Sequence, residues 1–166
     1  GKVMVVAGSA EYVGAAYLAC AGAVRVGAGL VTLATPRSLV PVIASMLPEV
    51  TYVPLEEEAW GVVRGADCAG QIHQAMPSYG TLLVGCGLGQ RPQVSEMVRR
   101  LLQSVTTALP PKVVVDADGL NILSRVPDWW QQLKTDTVVT PHPGEMWRLT
   151  ERTVDEIQSD RLKAAR

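Results

Sequence analysis

Thr81-Leu82-Leu83-Val84-Gly85-Cys86-Gly87-Leu88-Gly89 is a short apolar run that breaks into alternating glycines. Four apolar or β-branched residues bounded by a turn signal read as a buried strand over 81–84. Glycines at every second position cannot continue a helix or a ladder without loss of stability, so the strand runs into a tight loop. Beyond it, Val94, Met97, Val98, Leu101 and Leu102 recur at helical spacing. Strand, glycine loop and amphipathic helix in that order form half of a parallel βαβ unit.

The same grammar repeats on both sides. Val3–Ala7 is an apolar strand ending at Gly8-Ser9. Gly14–Val26 is almost wholly apolar and predicts a central helix covered on most sides, closed by Gly27-Ala28-Gly29. Leu30–Ala34 is the next strand, Leu39–Met46 a short helix, and Val50–Val53 a third strand followed by a solvated acidic loop, Glu56-Glu57-Glu58. Ala66–Met76 has weak helical periodicity and carries His73, read as a surface residue. Val113–Val115 ends at Asp116-Ala117-Asp118-Gly119, Gly119–Leu123 starts a helix, and Thr137–Val139 runs into Thr140-Pro141-His142-Pro143-Gly144-Glu145. The alternation predicts an α/β fold: a mostly parallel central sheet between two layers of helices.

Composition agrees and narrows the function classes. Of 166 residues, 48% are hydrophobic and 19% charged, so the chain folds rather than remaining disordered. The net charge is −1 with no basic stripe, which argues against a nucleic-acid partner. No apolar run reaches the length of a membrane span, so no membrane partner is expected. With no Phe, the core must be Val, Leu, Ile and Ala. Cys20, Cys68 and Cys86 match no metal or redox spacing and read as small buried hydrophobes in a reducing, cytoplasmic compartment. Trp129 and Trp130 read as packing residues, with an exposed one marking an oligomer contact.

In open α/β sheets, ligands bind beyond the carboxyl ends of the strands. The special residues all fall at such ends. Gly85-x-Gly87-x-Gly89 fails the dinucleotide fingerprint because position 90 is Gln, yet its amides can approach a phosphate or a ring, or simply make a tight turn. Asp116, Asp118 and Asn121 can hold Mg²⁺ through water or bind hydroxyls, or form an Asx turn with Asp118 as a helix cap. His142, fixed between two prolines with Glu145 three residues on, reads as a substrate contact. Thr153 and Glu156 form a capping-box pattern. Val154, Ile157, Arg161, Leu162 and Ala165 carry the helical face from there to Arg166 with no stop signal. Residues 1–166 are therefore read as one domain, incomplete at its carboxyl end.

Taken together, these motifs resemble a known family. Gly8-Ser9-x-x-Tyr12-x-Gly14-Ala15-Ala16, continuing to Arg25-x-Gly27-Ala28-Gly29, then Val84-Gly85-x-Gly87-Leu88-Gly89, Val115-Asp116-Ala117-Asp118-Gly119-Leu120-Asn121, and Thr140-Pro141-His142-Pro143-Gly144-Glu145-Met146 are similar, in order, to motifs of the ADP- or ATP-dependent NAD(P)H-hydrate dehydratases. Cys86 stands where that family usually has proline. The resemblance implies a ribokinase-like fold and nucleotide-driven dehydration of NADH and NADPH hydrates. In that reaction ADP or ATP, with Mg²⁺, turns the hydrate hydroxyl into a phosphate leaving group. It implies that Ala15, Gly89 and His142 meet the hydrate, that Asp118 and Asn121 shape the same pocket, and that Glu145 and Asp116 lie near phosphate and Mg²⁺. It also implies an epimerase domain or partner and a homo-oligomer. The family's nucleotide-gripping lysine-glycine segment, and the Asp that acts as base, would lie beyond Arg166. The catalytic base is therefore not assigned within this chain, which alone is expected to be inactive. The alternatives are a small-molecule kinase of the same superfamily and a non-catalytic fragment.

Overall fold

The computed structural model describes residues 1–105, 112–150 and 152–165. Six strands form one parallel sheet in the order β3-β2-β1-β6-β7-β8. They are β1 (Lys2–Val6), β2 (Leu30–Pro36), β3 (Thr51–Leu55), β6 (Thr81–Val84), β7 (Lys112–Val115) and β8 (Thr137–Val139). Between β3 and β6, β4 (Glu57–Ala59) and β5 (Val62–Val63) pair as a small antiparallel hairpin. Each predicted strand is present, displaced at its ends by at most two residues.

Period-two alternation splits the core into two layers. Met4 and Val6 face one cluster with Leu82, Val84, Met97 and Leu101. Val5 and Ala7 face the other with Cys20, Leu33 and Ile43. The first layer is closed by α3 (Gly65–Ala75), α4 (Pro92–Ser104) and α5 (Asp118–Leu123), and the second by α1 (Val13–Arg25) and α2 (Val40–Met46). Past β8 lie α6 (Pro143–Thr150), α7 (Val154–Ser159) and α8 (Arg161–Ala164). No helix among the described residues is long and apolar enough to cross a membrane.

Four local expectations need correction. Helix α1 is covered on one face only: Ala16, Cys20 and Ala21 are buried, whereas Leu18 is 68% exposed. Alanine and glycine raise the apolar count without demanding burial, so the composition overstated its cover. The acidic stretch is not a solvated loop. Glu57 accepts hydrogen bonds from the Ser38 amide (2.9 Å) and hydroxyl (2.7 Å), and from the Gly61 amide, and so braces the hairpin. The terminal helix is two pieces. The Thr153–Glu156 capping box forms as expected, but Asp160 leaves helical geometry (φ −151°) and caps α8 by accepting from the Lys163 amide at 2.9 Å. Arg166, to which that helix was expected to run without a stop, lies outside the described residues. His73 is half-buried, with Nδ1 enclosed and unpartnered among the described residues.

Candidate functional site

Because all six strands are parallel, β1, β6, β7 and β8 deliver their following loops to one edge of the sheet. The loop after β6 is shaped by glycines in the left-handed region, with φ of 132° at Gly85, 63° at Gly87 and 77° at Gly89. Space demands two of them. A Cβ on Gly85 would lie 1.8 Å from the Asp116 carbonyl oxygen, and one on Gly87 would lie 2.6 Å from the Ala15 Cβ. The glycine loop is thus wedged between the start of α1 and the loop after β7. Gly89 differs: a Cβ there would meet nothing within 4 Å, so this glycine borders open space.

That space is a cleft of about 240 Å³ lined by Ser9, Glu11, Tyr12, Gly61, Val62, Leu88, Gly89, Gln90, Arg91, Val94 and Asp118. The turn of the β4–β5 hairpin forms one wall, since Gly61 packs directly on Ala10. Asp118 is not a helix cap. It is the first residue of α5, and its Oδ2 accepts from the Gly89 amide at 2.8 Å while Oδ1 accepts from Gln90 Nε2 at 3.0 Å. Across the rim, Arg91 donates to Glu11 at 2.9 Å. That guanidinium, helped by the Glu11 backbone amide, holds the Glu11 carboxyl below its ordinary value. Ser9 is 6% exposed, and its Oγ makes no hydrogen bond within normal geometry, though it lies close enough to Glu11 to favour the carboxylate.

The other expected site residues fall around this cleft rather than in it. Ala15 supports Gly87 from behind. Asn121 Nδ2 lies 3.5 Å from Asp118 Oδ1, and Asn121 Oδ1 accepts from Arg148 at 3.2 Å. Asp116 accepts from the Thr140 hydroxyl at 2.8 Å, joining the loops after β7 and β8. The Cys86 thiol sits 3.5 Å from the other Asp116 oxygen. Burial first, and the Asp116 charge second, push its pKa up to about 12, so the thiol is an inert spacer at neutral pH.

His142 and Glu145 form a unit of their own. Glu145 is 5% exposed, accepts from the His142 amide at 2.9 Å, and faces His142 Nε2 at 3.3 Å. His142 Nδ1 accepts from the Gly144 amide at 3.1 Å and lies 3.4 Å from the Glu145 amide nitrogen. With Nδ1 accepting, the neutral ring carries its proton on Nε2, toward Glu145. Both nitrogens are occupied, and the side chain, 63% exposed, offers a ring face rather than a free donor. His142 does not line the Gly89 cleft; the two are linked through Gly144, Arg148, Asn121 and Asp118. Among the described residues no group of three or more His, Cys, Asp or Glu could hold a metal.

Sequence reasoning singled out Gly8-Ser9, Gly89 and Asp118 but missed Glu11, Gln90, Arg91 and the hairpin wall. Gln90-Arg91 directly precedes Pro92, the first residue of α4, and that placement at a helix entrance was the available signal.

Comparison with known proteins places this geometry in context. The family model described as NAD(P)H-hydrate dehydratase matches residues 3–166. The bifunctional NAD(P)H-hydrate repair enzyme Nnr of Thermofilum pendens is 38% identical over 99% of this chain and 30% of its own length. The ADP-dependent (S)-NAD(P)H-hydrate dehydratase of Bacillus subtilis is 32% identical over 100% of this chain and 53% of its own. The chain therefore spans between about a third and about half of these relatives. A crystal structure of the Bacillus subtilis ADP/ATP-dependent enzyme, co-crystallised with ATP/Mg²⁺ and soaked with CoA, superposes with a TM-score of 0.73 at 31% identity. The match covers 99% of this chain and 54% of that one. A ribokinase-like superfamily protein from Enterococcus faecalis superposes at 0.78 with 19% identity, over 99% of this chain and 52% of that one, and shares the fold.

Proposed function

The chain belongs to the NAD(P)H-hydrate dehydratase family, and from that premise we propose that its carboxyl-edge cleft is the hydrate-binding half of a nucleotide-dependent dehydratase acting on NADH and NADPH hydrates. The observation that supports this most directly is the meeting of Ser9, Tyr12, Gly89 and Asp118, from three separate loops, on one cleft. ADP or ATP supplies the phosphoryl group that makes the hydrate hydroxyl a leaving group, a role carried over from relatives named for that dependence. The nucleotide grip and the base that takes the hydroxyl proton belong, in this reading, to the part of those relatives that the chain does not span.

This chain's own residues bind and orient. Open space at Gly89 lets a flat ring approach the backbone closely. Asp118 fixes the Gly89 amide so that the loop is set before the ligand arrives. Ser9 Oγ, buried at the cleft beside Glu11, is a hydroxyl that can turn to bond the ligand. Val62 and Leu88 make the walls apolar, and Tyr12 offers a ring at the rim. His142 contributes a ring face held by Glu145. Asp116 and Glu145 are the carboxylates that this reading puts nearest a nucleotide-bound Mg²⁺, and each would have to exchange a present partner to meet it. Without a third acid, the ion would be held mainly by phosphate oxygens and water, as is usual for Mg²⁺. Relatives are named for the (S)-hydrate, so an epimerase activity must convert the other epimer, on the same or a separate polypeptide.

Incubating the full-length protein with NADH hydrate should restore dihydronicotinamide absorbance only when ADP or ATP is added. No recovery with either nucleotide by the folded protein would end this reading. Serine at position 9 gives a finer test. Ser9→Ala should raise KM for the hydrate by roughly tenfold, the effect of about 1–1.5 kcal/mol from one hydrogen bond, with folding unchanged.

A further inference from the structure

The carboxylate of Asp118 is the centre of a symmetric relay. Its Oδ1 takes Gln90 Nε2 at 3.0 Å on one side and faces Asn121 Nδ2 at 3.5 Å on the other. Each amide then turns its oxygen outward to an arginine: Gln90 Oε1 accepts from Arg125, and Asn121 Oδ1 accepts from Arg148 at 3.2 Å. Arg148 is braced further by the Gly144 carbonyl at 3.3 Å and lies 5.7 Å from the Trp147 ring centroid. Both guanidinium groups are exposed at the edge that carries the cleft.

The arginines of this chain meet their partners in two ways. Arg37, Arg91 and Arg100 are each paired with a glutamate at 2.9 Å. Among the described residues, Arg125 and Arg148 make no such pair and bond only neutral oxygens. An amide oxygen orients a guanidinium without neutralising it, and it leaves the remaining N–H donors of the fork free. Two guanidinium forks, each oriented by an amide oxygen, flank one carboxylate beside the cleft, an arrangement suited to grip a phosphate ester.

We propose that Arg125 and Arg148 form a phosphate-binding pair for a nucleotide whose ring end enters the Gly89 cleft, with Asp118, Gln90 and Asn121 as positioning residues. The proposal rests on reading that cleft as a nucleotide site. The shared chemistry is a phosphate or pyrophosphate ester, belonging either to the dinucleotide hydrate or to the ADP or ATP co-substrate.

The test uses the full-length protein and its Arg125→Gln/Arg148→Gln variant, with Arg100→Gln as a control at a neutralised site on α4. Affinities are measured by calorimetry for NADPH hydrate, ADP, inorganic pyrophosphate and reduced nicotinamide riboside, which carries no phosphate. The double variant should bind pyrophosphate at least tenfold more weakly and the riboside unchanged, and a double lysine variant should fall between. An accompanying loss for NADPH hydrate alone assigns the pair to the dinucleotide; a loss for ADP assigns it to the co-substrate. Unchanged affinity for all three phosphorylated probes overturns the proposal. If the double variant unfolds, each single glutamine variant is read the same way, with about a threefold loss expected. The outcome is separable from the dehydratase reading, because pyrophosphate binding is scored whether or not NADH hydrate is turned over.

Discussion

Strands β6 and β8 end at the same edge of the same sheet, but they hold their loops by different means. β6 lies between β1 and β7, with Leu82 and Val84 fully buried, and its glycine loop is enclosed by Ala15, Asp116 and Asp118. β8 has one neighbour among the described strands, its Val138 is 59% exposed, and its His142–Glu145 loop is held mainly by hydrogen bonds within itself. The interior loop takes its shape from its neighbours. The edge loop takes its shape from two prolines and four residues of local bonding. A site built on both therefore has a rigid half and an adjustable half.

The largest test of this contrast is Gly85→Ala. Its Cβ would lie 1.8 Å from a backbone oxygen at φ 132°, so the loop itself must move. A loss of about 3 kcal/mol or more is expected in denaturant titration. A loss under about 1 kcal/mol would mean that the interior loop is as pliant as the edge loop. Next come paired truncations. Leu82→Ala should cost about 2–5 kcal/mol by leaving a cavity, whereas Val138→Ala should stay within about 0.5 kcal/mol. Similar values for the two would erase the distinction.

Asp118→Ala should cost about 1–3 kcal/mol, because the Gly89 amide loses its partner, and should speed hydrogen exchange at Gly89 more than at Gly144. A smaller effect concerns thiol reactivity. With its pKa near 12, Cys86 carries almost no thiolate at pH 8, so it should resist alkylation until the protein unfolds. Rapid native-state labelling would show that the interior loop opens. The smallest is at α7. The Thr153 amide and hydroxyl hold the Glu156 carboxyl below its ordinary value. That cap is complete above the unfolded value and disappears as pH falls through the lowered one. Fraying of α7 alone should therefore begin only in acid, seen as amide exchange at Glu156 and Ile157.

Much of this was readable in the residues. Short apolar or β-branched runs located all six sheet strands, most sharply β1 and β6, where an interior parallel strand carries few polar residues to blur its limits. The hairpin was missed because Glu57 looks solvated in sequence, and only the fold shows that Ser38 and Gly61 donate to it. Gly61 ahead of Val62-Val63 was the overlooked turn signal. The break at Asp160 was legible as an N-cap with Lys163 three residues on, but the continuing apolar face outweighed it. Within the site, glycines and Asp118 were visible because their spacing is unusual. Arg125 and Arg148 were not, because what distinguishes them is the kind of oxygen they meet across the fold.

The strand order has a consequence in time. β1 is made first and finds β2 within about thirty residues, but its other edge pairs with β6, where Val3 meets Thr81. At a synthesis rate of roughly 5–20 residues per second, the roughly 45 residues between the end of β2 and the start of β6 take about 2–9 seconds to emerge. Through that interval a strand whose Met4, Val5 and Val6 are fully buried in the finished sheet shows an open edge to the crowded space outside the ribosome. The centre of the finished molecule is thus its most vulnerable part during birth. The earliest-made strand of the sheet is the one with the most to gain from a chaperone.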